Sequence, residues 1–80
     1  MAEESELNVI RLNRDFGLAV RELREEFSWS QEQLAEKAEL NRSFIGEIER
    51  GIASPSLKTI AKLAVALQTV PSSLIARCER

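Results

Sequence analysis

Histidine and tyrosine are absent from this chain, cysteine occurs once, and only three glycines and two prolines interrupt its 80 residues. Each absence removes a class of function. Without histidine, with a single thiol close to the C-terminus and with no glycine-rich phosphate loop, the residue types that build metal, nucleophilic or phosphoryl-transfer sites are missing. An enzyme is therefore not expected, and neither is a cofactor or a small-molecule ligand. Cys78 has no partner for an intrachain disulfide and reads as an incidental thiol in a poor position for a core residue. No apolar run approaches the ~20 residues that cross a bilayer. The start, MAEESE, is acidic where a signal peptide would be basic, so a cytoplasmic protein with no membrane partner is expected.

What is present is ordinary for a small globular domain: 44% hydrophobic and 30% charged residues, enough for one core and no second domain. The net charge of −2 argues at first against a nucleic-acid partner, for which a basic footprint is usual. Its distribution reverses the argument. Residues 1–7 read as a flexible acidic tail. Setting aside residues 1–8 removes three glutamates and leaves eleven basic residues against ten acidic, so the single domain expected over 8–80 is about neutral. Such a domain binds DNA only if its cations converge on one face.

The stretch around which the chain is organised is residues 30–51, SQEQLAEKAELNRSFIGEIERG. Ser30 and Gln33 form a capping box, which starts a helix at Gln31. Leu34, Ala35 and Ala38 give that helix a narrow apolar stripe. Leu40 plugs inward at the turn, Asn41 caps a second helix, and Gly51 stops it. At 100° per residue, Ile45 and Ile48 share one side of this second helix, while Arg42, Ser43, Gly46, Glu47 and Arg50 gather on the other. One face is built to bury and the other to touch something.

Before this stretch, Val9, Leu12, Phe16, Ala19, Val20, Leu23 and Phe27 fall on one helical face, with Leu7, Ile10 and Leu18 opposite. That helix starts at Asn8 or, in a shorter version, is capped by Asn13, and Trp29 drops into the core after it. Beyond Gly51, Leu57, Ile60, Leu63, Ala64 and Leu67 mark the buried face of a fourth helix. Pro71 opens a fifth, over about residues 71–77. Five short helices in an all-α domain are expected, packed across one another because no heptad persists.

Ser30-Gln31 with Leu34-Ala35, then Asn41-Arg42-Ser43-Phe44-Ile45 and Ile48-Glu49-Arg50-Gly51, then Pro55-Ser56-Leu57 and residues 64–67, resemble the Cro/cI-type (xenobiotic-response-element) helix-turn-helix family over roughly residues 16–75. Within it, the run NRSFIGEIERG is similar to the controller proteins of restriction-modification systems. The resemblance implies a compact five-helix, lambda-repressor-like DNA-binding domain and a transcription regulator. Such a regulator is expected to act as a homodimer on a two-fold symmetric, palindromic operator in double-stranded DNA. The alternative is a protein-interaction module that keeps the fold without binding DNA.

In that frame Arg42 and Ser43 stand at the N-terminus of the recognition helix, where base edges are read. A cation there opposes the helix dipole unless it meets a partner, and the arginine fork suits guanine O6 and N7. Glu47 accepts from a cytosine amino group, repels wrong sequences, or orients an arginine. Phe44 divides between core packing and contact with a thymine methyl. Gln31, Gly46, Arg50 and Lys58 are the candidates for the DNA backbone, Gly46 because glycine within a helix costs ~1 kcal/mol relative to alanine and needs a reason. For Gly46 plain tolerance is the alternative, and for Arg50 and Lys58 an ordinary solvated charge.

The family pattern further implies a structural ion pair between Arg24 and Glu49. Val70, Leu74 and Ile75 are the expected dimer interface, with Cys78 near its mate. Many relatives carry glycine where this chain has Ser28 and Glu39. Residues 7–12 look like an extension of the first helix, which packs on the C-terminal helix, adds Leu7 and Ile10 to the dimer contact, or frays.

Overall fold

The computed structural model describes residues 2–79, arranged as five α-helices: α1 Ala2–Glu26, α2 Gln31–Ala38, α3 Arg42–Glu49, α4 Leu57–Ala66 and α5 Pro71–Ala76, followed by a 3-10 turn, Arg77–Glu79. Each start has a local cause. Ser30 accepts from the Gln33 amide at 3.0 Å while the Gln33 side chain accepts from the Ser30 amide at 2.8 Å, the expected reciprocal box. Asn41 caps α3 and Ser56 caps α4 in the same sense, each through a side-chain oxygen. Pro71 occupies the first turn of α5, where its missing amide costs nothing.

The ends of α1 to α4 share one solution. In each, an amide reaches back five residues, Trp29 to Arg24, Leu40 to Ala35, Ile52 to Glu47 and Thr69 to Ala64, at distances between 2.8 and 3.1 Å. This closure requires one residue in the left-handed region. Ser28, Glu39, Gln68 and Gly51 supply it, with φ of 60°, 56°, 60° and 77°. Only the last is glycine, and crowding explains why: a Cβ at position 51 would stand 2.9 Å from the Arg14 Cα.

Leu34, Ile45, Ile48, Leu63, Leu74 and Val20 form the fully buried centre, to which α1, α2, α3, α4 and α5 all contribute. Each such side chain is worth ~1.5–3 kcal/mol relative to exposure. Gly17 lets α1 and α3 cross closely, because a Cβ there would overlap the Ile48 carbonyl oxygen and stand 2.9 Å from that of Glu49. Among the described residues no helix is long and apolar enough to cross a membrane.

Several expectations need correcting. Helix α1 begins at Ala2, so residues 2–7 are helical where a flexible tail was expected. Met1 lies outside the described residues. Asn13 sits within the helix and donates to Ser54 Oγ at 2.6 Å instead of capping. Val9 and Leu12 continue the buried stripe in sequence but project beyond the body and are exposed, and the extension does not pack on the C-terminal helix. Leu57, expected inside, is 85% exposed in the first turn of α4.

Leu74 is wholly buried in its own core and offers no surface to a second copy, which removes it from the expected dimer interface. Cys78 is also buried, its thiol 3.7 Å from the Leu74 carbonyl oxygen, and is placed for neither an incidental role nor a disulfide with a mate.

Two substitutions probe this architecture. Gly17→Ala should force α1 and α3 apart and cost ~2–4 kcal/mol in urea unfolding. Glu39→Gly should stabilise by up to ~1 kcal/mol by relieving the left-handed residue. Equal midpoints for Gly17→Ala and the parent chain would contradict the close crossing.

Candidate nucleic-acid interface

Helix α3 has eight residues, too short to persist alone, and its inner side is fixed by Ile45 and Ile48 at full burial. That anchoring leaves Arg42, Ser43 and Glu47 exposed on the outer side. Asn41 Oδ1 accepts from the Ser43 amide at 2.7 Å, satisfying one of the free donors at the helix start. Phe44 is half-buried against the core, at the border of the two faces.

The other end of α3 is held by charge. Arg24 Nε lies 2.7 Å from Glu49 Oε2 and its Nη2 3.0 Å from Oε1, a two-pronged fork. The remaining guanidinium nitrogen, Nη1, donates to the Trp29 carbonyl oxygen at 2.7 Å. Gln31 Nε2 adds a third donor to the carboxylate, 3.0 Å from Oε1. Side-chain exposures of 12% for Arg24 and 3% for Glu49 place the pair inside the protein. No buried side-chain polar atom among the described residues lacks a partner.

The hydrogen bond to Glu49 raises the Arg24 pKa above its usual value despite the opposing effect of burial, with further help from the charges of Glu49 and Glu25. A raised cation pKa contributes stability that is fully present below the unfolded value and is lost only as pH climbs through the folded one. For arginine that window lies above the working range of proteins, so this contribution does not change near neutrality.

One guanidinium thus ties the last turn of α1, the chain entering α2 and the last turn of α3. Outside it, Phe27 and Trp29 stack with ring centroids 4.3 Å apart, and the Lys37 ammonium lies 4.7 Å from the Trp29 ring centroid, closing the turn between α1 and α2.

These contacts redistribute the expected backbone candidates. The Gln31 carboxamide is turned inward to Glu49, which leaves its backbone amide, in the first turn of α2, as the remaining donor of this residue. Gly46 is buried beneath the Arg50 guanidinium, with Arg50 Nη1 3.1 Å from where a Cβ would stand and Gln31 Oε1 3.6 Å away. Gly46 is thus covered within the protein and is not itself an open backbone contact. Arg21, Arg24, Gln31, Glu49 and Arg50 line one cleft beside α3, whereas Lys58 lies in a separate groove with Lys37 and Lys62.

Within the described residues Arg42, Arg50 and Lys58 make no ion pair, while Arg21 pairs with Glu25 at 3.3 Å. Arg21 and the Trp29 carbonyl were not singled out by sequence reasoning. Arg21 carries no pattern of its own, and a carbonyl has no sequence signature. Gly17 did carry one, as a glycine within a helix.

A capped short helix, a tight turn and a second helix presenting free cations define a helix-turn-helix protein. The Helix-turn-helix family HTH_3 matches residues 20–75, and the chain belongs to this family of DNA-binding transcription regulators. It is 41% identical over 61 residues to the control protein C.BamHI of Bacillus amyloliquefaciens, covering 75% of each chain. It is likewise 41% identical over 59 residues to the immunity repressor of Bacillus phage phi105, where the match covers 74% of this chain and only 41% of that longer protein. Among solved structures, the restriction-modification controller protein C.AhdI of Aeromonas hydrophila superposes with a TM-score of 0.75 at 45% identity, covering 78% of this chain and 94% of that one.

Glu49→Gln should cost ~2–4 kcal/mol, because it removes the countercharge from a buried guanidinium. Thermal unfolding within a degree of the parent chain would reduce the pair to a surface contact.

Proposed function

We propose that this chain is a sequence-specific regulator of transcription that binds double-stranded DNA as a homodimer on a two-fold symmetric operator, as a controller of restriction-modification type. The observation that carries the reading is the pairing of an exposed Arg42-Ser43 at the start of α3 with the locked fork at its end. A helix held at both ends enters the major groove without further ordering cost, and its first residues meet the base edges. The control proteins among its relatives support the narrower assignment.

Arg42 reads a base, with Ser43 beside it and Glu47 one turn on. Phe44, half-buried, reaches a thymine methyl only at its edge. The Gln31 amide and Arg50 take phosphates on either side of the recognition helix, and Lys58 takes a more distant one. Because one recognition helix spans few base pairs, two copies across a dyad are needed for specificity, with half-sites about one DNA turn (~34 Å) apart. Since Leu74 is enclosed, exposed Val70 and half-buried Ile75 form the C-terminal contact between copies. Such a regulator works in the cytoplasm.

Gel-shift titration on DNA upstream of its own gene, repeated across salt concentrations, separates this reading from a module that binds only protein. Arg42→Ala should lose ~1–3 kcal/mol on the operator and relax preference at one base of each half-site. Arg50→Ala should weaken all sequences alike and lower the salt slope by about one. Equal losses for Arg42→Ala on operator and random DNA would remove Arg42 as a reader. Sedimentation equilibrium tests the dimer: a 9.0 kDa species throughout, with a footprint lacking dyad symmetry, would contradict it.

A further inference from the structure

Helix α1 spans 25 residues, ~37 Å of rise, in a molecule whose longest dimension is 39 Å. Its contacts with the body begin near Asn13, through Ser54, and Arg14, through Gly51. Residues 3–12 are all exposed, so the first three turns form an arm standing clear of the domain. A three-turn extension is marginal in water without a packing face, and this arm has one. Leu7 is 60% and Ile10 54% exposed, and with Glu3 and Arg14 they fall at i, i+4, i+7 and i+11, within about 60° of arc on the side opposite Val9 and Leu12, with the Arg14 backbone against Gly51 at its inner end.

The order of that stripe, acid–apolar–apolar–base, identifies what covers it. We infer that α1 of a second copy of this chain packs antiparallel on the stripe, each Leu7 against Ile10 of the second copy and each Glu3 beside Arg14 of the second copy.

Positions 3 and 14, and positions 7 and 10, are equidistant from one point midway between residues 8 and 9. A two-fold axis through that point therefore satisfies both charges and both apolar residues at once. A parallel pair would set Glu3 on Glu3 and Arg14 on Arg14, which the charges forbid. Val9 and Leu12, on the opposite side of the arm, lack flanking charges of this complementary order. The exposed ion pairs add little energy but fix direction, and the contact is small, so it is weak and acts in addition to the C-terminal contact. It does not depend on DNA binding.

Charge exchange tests it. The full chain is followed by sedimentation velocity at low salt and on the order of 100 µM, where a weak contact of this size is populated. Glu3→Arg and Arg14→Glu, both on exposed helix, should each lower the weight-average mass relative to the parent chain, through like charges set opposite one another. Mixing the two variants in equal amounts should restore the parent mass, because each copy then meets one of opposite sign. Leu7→Ser should lower the mass as the charge variants do, and no mixture with either should restore it. Equal masses for parent and single variants, or a mixture that stays at the lower mass, would overturn the proposal.

Discussion

The arrangement of this molecule depends on one guanidinium. Arg24 leaves α1 in its last turn, donates from two nitrogens to the Glu49 carboxylate and from its third to the carbonyl of Trp29, immediately before the cap of α2. Helices α2 and α3 have eight residues each, too few to hold a mutual angle by their own hydrogen bonds. Apolar burial of Leu34, Ile45 and Ile48 brings them together and turns their inner sides to the core. The fork is directional, and the Gln31 amide on the same carboxylate extends its reach to α2. An ion pair taken from water gains little net stability over well-packed apolar residues. Its contribution here is geometric: it ties the end of α3 to α1 and α2, while buried Ile45 and Ile48 set which side of α3 faces outward.

How much of this was legible depended on whether the signal was local. The starts of α2, α3 and α5 followed from Ser30 with Gln33, from Asn41 and from Pro71, since a cap is decided by neighbours in sequence. The faces of α3 followed from the spacing of Ile45 and Ile48. The partnership of Arg24 with Glu49 came from family resemblance, because no periodicity selects one arginine over its neighbours. Gln31 turned inward for the same reason: its partner lies 18 residues away, beyond any local rule. Ser28 and Glu39 stood out where relatives carry glycine, whereas Gln68, in the same backbone state, has no such signature.

The errors have one physical origin. An apolar stripe shows which side of a helix faces a core but not how far the core extends. Val9 and Leu12 continue the stripe of Phe16 and Leu23 after the body has ended. Residues 2–7 joined the helix because their glutamates favour a helix start, where the dipole welcomes negative charge. At the other end, Leu74 and Cys78 turned inward in a segment whose apolar residues were too few to distinguish core from interface. The enclosure of Leu74 leaves Val70 and Ile75 as the apolar residues of that segment with surface still open.

Arg24 and Glu49 act as a unit that ties α3 to α1. A double-mutant cycle in urea with Arg24→Met, Glu49→Leu and the combination tests it most directly. If the account holds, each single change leaves a buried charge alone and destabilises by ~2–3 kcal/mol, while the double variant, with neither charge, is more stable than either single. Losses that simply add, with the double variant the least stable of all, would contradict it.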